Sequence, residues 1–393
     1  MRKAHVIQLC VVGLLGLALL MVSSAELGVG GAASATEHLA QSKHTLFAGV
    51  AVLAMLVVSR VNLRQVMASR WPVNPAVALL AFSLGAVAMV YVPGVGATIN
   101  GARRWLRLGS FMFQPSELVK WTLLVALSWW CARRSGVMRR FFAGLLPGLL
   151  LVGVAAASIV VEDLGTAALI CLVGMFVLAA GGARLWQMAM LTPPFIAAGV
   201  WAILSSPYRV NRLLIFMHPY DDPEGKGYQP IQSMIALAQG GVFGQGIGNA
   251  VQKHGYLPQD TSDFILGIVC AETGFAGAAL VVTLYLTLLW TGLAVARDCR
   301  DAFGRLLALG VVATVGVQAA LNIAVVTVLV PTKGIALPLM SAGGTGWIMT
   351  AAALGMVASL DQAHHHAALD EEERLLGEAE GALGEPALAA SGA

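Results

Sequence analysis

Apolar residues dominate this chain in long runs, and polar residues gather in the gaps between them. A spanning helix needs about 20 mostly apolar residues. Ten runs meet or approach that length: 5–25, 45–61, 73–93, 115–132, 141–161, 166–182, 185–205, 264–296, 304–330 and 335–360. The sixth is short, and Pro193-Pro194 breaks the seventh. The run from Val6 to Val22 follows Arg2 and Lys3, but no small-residue cleavage site follows it cleanly. It reads as a first span rather than a signal peptide. The pattern predicts an all-α polytopic membrane protein with about ten transmembrane helices. The long polar interval at about 206–262 becomes a large loop between helices 7 and 8.

Composition agrees. The chain is 58% apolar and 11% charged, against about 25% charged in soluble domains. Its net charge of +3 comes without a basic stripe, which sets nucleic acid aside as a partner. Cys10, Cys131, Cys171, Cys270 and Cys299 are scattered and odd in number. They read as small apolar packing residues rather than disulfides or metal ligands.

Ten spans place both termini on one side. Of the 24 Lys and Arg, fourteen fall on the side of the termini, nine fall opposite, and Lys120 lies within a helix. The bias predicts cytoplasmic termini and an extracytoplasmic 206–262 loop. Residues 1–360 then form the membrane domain. Residues 361–393, with Asp370-Glu371-Glu372-Glu373, form a cytoplasmic acidic tail, helical only at its start and then disordered. Positive charge on the translocated side runs against the insertion preference. A long loop tolerates it, but the short 94–114 loop with Arg103, Arg104 and Arg107 points to an anionic ligand.

Polar residues in so apolar a chain mark candidate chemistry, because each costs free energy without a partner or a task. The richest stretch runs from Tyr228 to Gly277 and holds Gln229, Gln232, Lys253, His254, Asp260, Asp263 and Glu272. Within it, Ile231, Ile235 and Ala238 predict a short amphipathic helix lying at the interface. The glycine-rich GGVFGQGIG that follows lacks a preceding strand and a GK[ST] ending. Tight backbone folding explains it better than a phosphate loop. Gln114-Pro115-Ser116-Glu117 opens the fourth span, with Lys120 on the same face as Glu117. A structural ion pair and a direct catalytic role are equally good readings there, and a paired site facing a cavity would also help position a substrate. Asp163, in a tight turn after Glu162, reads first as the cap of the sixth helix. Ser341-Ala342-Gly343-Gly344-Thr345-Gly346 interrupts the tenth span, and close helix packing accounts for it.

Five segments together resemble the SEDS (shape, elongation, division and sporulation) family, the FtsW/RodA peptidoglycan polymerases. They are GARRWLRLGSFMFQPSELVK, DLGTA, PYRVNRLLIF, the block from GYQPIQS through GIGNAVQKHGYLPQDTSDF, and PTKGIALPLMSAGG. The GNAVQK and PTKG segments look more like the FtsW branch. The resemblance implies ten spans and lipid II as substrate. It implies polymerisation into glycan strands with release of undecaprenyl diphosphate, in cell division. It also implies a bacterial inner-membrane location, with a class B penicillin-binding protein and other division proteins as partners. The family's essential aspartate falls on Asp263. Its QPSEL-x-K positions fall on Gln114, Ser116, Glu117 and Lys120, and its RRW on Arg103, Arg104 and Trp105. This chain departs at Thr261-Ser262, where the family has His-Thr, at Glu162 in the Q-P-D-L-G-T motif, and at Ala342 in S-Y-G-G-S.

The chemistry so implied needs a carboxylate beside an attacking hydroxyl and cations beside a departing diphosphate. Asp263 fits the first. Arg103, Arg104, Arg209, Arg212, Lys253 and Lys333 fit the second, and Gln232 is a further substrate contact. A divalent cation, magnesium or manganese, could share the charge, and no sequence feature selects one. A lipid II flippase and a non-catalytic cell-wall scaffold are the rival readings. Neither has a use for Asp263 as a base.

Overall fold

The structure is a computed structural model. It describes residues 2–27, 42–68, 74–99, 102–109, 111–225, 227–248, 263–331, 334–342 and 344–384. Lys226, Lys253, Lys333, Thr261 and Ser262 lie outside the described residues.

Among the described residues, ten helices occupy the ten apolar runs. They are α1 (Lys3–Leu27), α2 (Lys43–Ser59), α4 (Pro75–Met89), α5 (Pro115–Arg133), α6 (Leu146–Ile159), α7 (Leu164–Ala180), α8 (Leu185–Leu204), α11 (Ile265–Asp298), α12 (Ala302–Val326) and α13 (Thr345–Gly384). A short α3 (Leu63–Ala68) links α2 to α4, while α9 (Pro207–Met217) and α10 (Tyr228–Gly240) fill the long interval before α11. Among the described residues, five helical segments are long and apolar enough to cross a membrane: Lys3–Ser24 of α1, Phe141–Ile159, α8, α11 and α12. The apolar helices α2, α4 and α7 are shorter, at 15 to 17 residues.

Local chemistry sets several starts. Asn74 caps α4 ahead of Pro75, Asp163 caps α7, and Asp301 caps α12, each through a side-chain oxygen and a backbone N–H. Helix α5 lies centrally and packs on α4, α6, α7 and α12; α12 packs also on α11 and α13. Their contacts build one continuous apolar core that includes Leu123, Leu127, Val177, Leu307, Val311 and Trp347. All five cysteines are free, and four are buried in it.

Four expectations need correction. The 94–114 loop holds a three-stranded antiparallel sheet, β1 (Gly96–Ile99), β2 (Ala102–Leu108) and β3 (Phe111–Phe113), in the order β1-β2-β3. Its strands are too short and too charged to show a clear alternation. The seventh span is not broken: α8 runs through Pro193 and Pro194, as membrane helices tolerate. The tenth helix begins at Thr345 rather than 335, because Pro338 and the small residues around it hold 334–342 in non-helical form. The acidic tail stays helical through Gly384, longer than the short start expected. Its Ala, Leu and Glu are strong helix formers.

The glycine-rich loop has a specific job. Helix α11 is interrupted at Gly274, where φ is 68°. A break in a membrane helix strips backbone groups of their partners. Here the loop supplies them. Gln245 N donates to Ala271 O and Gly246 N to Glu272 O, both at 2.9 Å. In return Phe275 N donates to Gly241 O at 3.0 Å and Ala276 N to Val242 O at 3.1 Å. A Cβ on Gly244 would overlap the Glu272 carbonyl, and one on Gly274 would overlap the Gly244 nitrogen. Helix α10 sits beside this lock. It buries Ser233, Ala236 and Gly240 and leaves Ile231, Ile235 and Ala238 off that face. Its small-residue face lets it press on α11 and α12.

Candidate active site

Two polar clusters converge on the segment 334–337. The first gathers around Asp263. Arg104 belongs to β2, where the register slips between Ala97 and Thr98, so Trp105 faces Ala97 and Arg103 faces Thr98. Arg104 is therefore the extra residue of a bulge, and a bulge re-aims its side chain. Its guanidinium Nη1 lies 3.3 Å from Asp163 Oδ2. Asp163 is the cap of α7, as its place in a tight turn predicted. Its Oδ1 accepts from Thr166 N, and its Oδ2 from Thr166 Oγ1, both at 2.9 Å. Next to it, Glu162 Oε2 accepts from the Arg103 backbone N–H at 2.8 Å. The sheet is thus bolted to the turn between α6 and α7.

Asp263 sits one residue outside the N-cap of α11, which is Phe264. Inside the first turn the helix dipole would hold its pKa down. Burial instead pushes the carboxyl up from its ordinary 3.8 to about 6; Arg212 and then Arg104 pull it down, and Asp163 pushes it up. A carboxyl with that value is poised to take a proton near neutral pH. The segment from Gly334 runs directly past it: a Cβ on Gly334 would lie 3.6 Å from Asp263 Oδ2.

The second cluster is deeper. Lys120 Nζ contacts Glu117 at 2.8 and 3.0 Å and Gln318 Oε1 at 3.0 Å. Lys120 is only 3% exposed. Gln318 also donates to Ala336 O at 2.9 Å. One turn further along α12, Asn322 Nδ2 donates to Ile335 O and to Asp263 O, both at 2.9 Å. So α12 carries two amides that tie the 334–337 segment to both clusters.

The other sequence-derived candidates fall as follows. Gln114 Nε2 donates to Ser116 Oγ at 3.0 Å at the start of α5. Ser116, Arg103, Arg104, Glu162 and Asp163 line a small cavity of about 20 Å³, enough for a water molecule. Trp105 is half-buried on β2 beside Arg104. Arg209 is committed to backbone: its Nη1 donates to Ala202 O at 2.8 Å and its Nη2 to Val161 O at 3.5 Å. Gln232 is half-buried on α10. Lys253 and Lys333 lie outside the described residues. Among those that are described, no group of three or more His, Cys, Asp or Glu is placed to hold a metal ion. Asn322 and Gln318 escaped the sequence reading. Neither bears charge, and an amide within an apolar helix resembles a packing residue.

Fold and site together define a predominantly helical polytopic membrane protein with a carboxylate–arginine centre where α5, α7 and α11 begin. Comparison with known proteins makes this particular. The chain belongs to the FtsW/RodA/SpoVE family of cell cycle proteins, whose model matches residues 4–366. The probable peptidoglycan glycosyltransferase FtsW of Thioalkalivibrio sulfidiphilus is 38% identical over 353 residues, covering 89% of this chain and 87% of its own. Stage V sporulation protein E of Bacillus subtilis is 34% identical over 325 residues, 81% of this chain and 86% of its own. Among solved structures, a peptidoglycan synthase complex described as coordinating polymerization and crosslinking contains a similar chain. That chain has a TM-score of 0.68 and 28% identity, with 89% of this chain and 97% of that one covered. The rod shape determining protein RodA of Thermus thermophilus shares the fold, with a TM-score of 0.60, 23% identity, and 91% and 95% coverage.

Proposed function

We propose that this chain is a peptidoglycan glycosyltransferase that polymerises lipid II into glycan strands in cell division. The observation that carries the reading is Asp263, a carboxylate with a raised pKa set between Arg104, Arg212 and the 334–337 segment. In the reaction, Asp263 takes the proton from the 4-hydroxyl of the acceptor's GlcNAc. That oxygen bonds to the anomeric carbon of the donor's MurNAc with inversion. The bond from that carbon to the diphosphate breaks, and its electron pair leaves with undecaprenyl diphosphate. Arg103, Arg104 and Arg212 meet the departing charge, Arg with its fork best suited to phosphate oxygens. Similarity to a chain of the synthase complex and to curated FtsW proteins supports a class B penicillin-binding protein as partner. The test is a purified assay on labelled lipid II, with and without that partner. Glycan strands in either arm support the polymerase. Lipid II moved across a vesicle bilayer with no strands made would favour a flippase.

The pH dependence follows from the site. A base must be ionised, so kcat/KM should fall as pH drops through about 6, the value to which burial brings Asp263. Arg104 pulls that value down, so Arg104→Ala should move the midpoint of the acid limb upward. Arg104→Lys should move it less and restore turnover only in part, since the fork is lost. An unchanged midpoint in Arg104→Ala would detach Arg104 from Asp263.

Orientation is a separate reading. The Lys/Arg bias supports termini in the cytoplasm of a bacterial inner membrane, with the Ser206–Ser262 loop outside. A cysteine at the exposed Glu224 should react with a membrane-impermeant maleimide in intact cells, and one at Leu376 should not. The reverse labelling would invert the topology.

A further inference from the structure

We infer that Asn322 is the positioning residue for the Asp263 carboxylate, an inference that rests on the polymerase reading above. Asn322 is fully buried on α12. Its amide nitrogen has two hydrogens, and each has a carbonyl to meet. One goes to Asp263 O and the other to Ile335 O, both at 2.9 Å. Both neighbours are acceptors, so the nitrogen and not the oxygen must face them. Asn322 Oδ1 is buried with no donor among the described residues. A merely space-filling residue would not leave a buried acceptor open, since an apolar side chain would avoid that cost.

The geometry explains what the two bonds achieve. Asp263 lies outside α11, beyond its N-cap, so the helix ladder does not fix its backbone. Ile335 lies in a segment with no regular structure. Both segments need an external reference, and Asn322 gives them the same one. The 334–337 segment is thereby held against the carboxylate, and Gln318 repeats the device one turn away at Ala336 O. Catalytic geometry is sensitive at this scale: a shift of about 1 Å can cost about a hundredfold in rate.

Asn322→Ala frees both carbonyls while leaving the carboxylate and the arginines in place. Asn322→Ser keeps one donor. Purified full-length variants with their partner would be assayed on lipid II beside Asp263→Asn. Asn322→Ala should lower kcat about 10- to 100-fold with KM within about twofold, because the loss falls on the reacting geometry and not on substrate binding. Asn322→Ser should lie between it and the unaltered protein. If Asp263→Asn is inactive while Asn322→Ala turns over within about twofold of the unaltered protein, the positioning role alone falls. A raised KM at unchanged kcat also overturns it, in favour of a substrate contact. Failure of both Asn322 variants to yield folded protein overturns it in favour of a purely structural bond. An active Asp263→Asn removes the base itself, and the positioning role with it.

Discussion

Asp263→Asn should give a well-folded, partner-competent protein that polymerises lipid II about a hundredfold to ten-thousandfold more slowly. The structure separates this outcome from a loss of folding. An aspartate near a helix start is often a cap, and Asn caps equally well. Asp263 does not cap: Phe264 holds that position, with no side-chain hydrogen bond to the first turn. The tie between this residue and α12 runs through its backbone carbonyl to Asn322, and an Asn side chain leaves that carbonyl untouched. What the substitution does remove is a carboxylate whose pKa, near 6, suits proton transfer. Strand synthesis on labelled lipid II and a thermal melt in detergent should therefore diverge, with the first lost and the second retained. Turnover within a few-fold of the unaltered protein would show that Asp263 is not the base.

Lys120→Met should have the largest effect on stability, about 3–5 kcal/mol, because it strands Glu117 as an uncompensated charge inside the bundle. Lys120 is almost wholly enclosed, and the Glu117 side chain is 14% exposed. The same change leaves Gln318 Oε1 without its donor. The double variant Lys120→Met with Glu117→Gln removes both charges and should recover most of the loss. Exposed ion pairs contribute only about 0–1 kcal/mol and would not behave this way. Melting temperatures of the single and double variants decide it. A single variant that melts with the unaltered protein would mean that the pair is not structural, leaving Glu117 and Lys120 to the substrate.

Much of the architecture was legible in the sequence because the membrane makes hydropathy decisive. Most helix ends lie within a few residues of the apolar runs, since a helix must bury its whole backbone there. The signal failed where apolar sequence was held out of helix by tertiary ties. Ile335, Ala336 and Leu337 look like the start of a span, yet Asn322, Gln318 and the Ser341 hydroxyl take their backbone groups. It failed again at β1–β3, whose pairing depends on partners a few residues away rather than on a period. Within the site, the charged members announced themselves: Asp263, Arg104, Asp163, Glu117 and Lys120 are costly where they stand. That Asp163 would meet Arg104 was not legible, because a bulge aims the arginine. Nor were the two amides of α12.

The glycine lock in α11 also limits how the chain can change over generations. The Gly244 nitrogen fills the side-chain space of Gly274, the Glu272 carbonyl fills that of Gly244, and both glycines have positive φ, at 77° and 68°. Complementary pairs usually drift together, one residue growing as the other shrinks. These two are already at the minimum, so neither can concede volume to the other. A substitution at one site therefore has no rescuing partner at the second. The pair should behave as two independently fixed positions, silent in any test for correlated substitution although they touch.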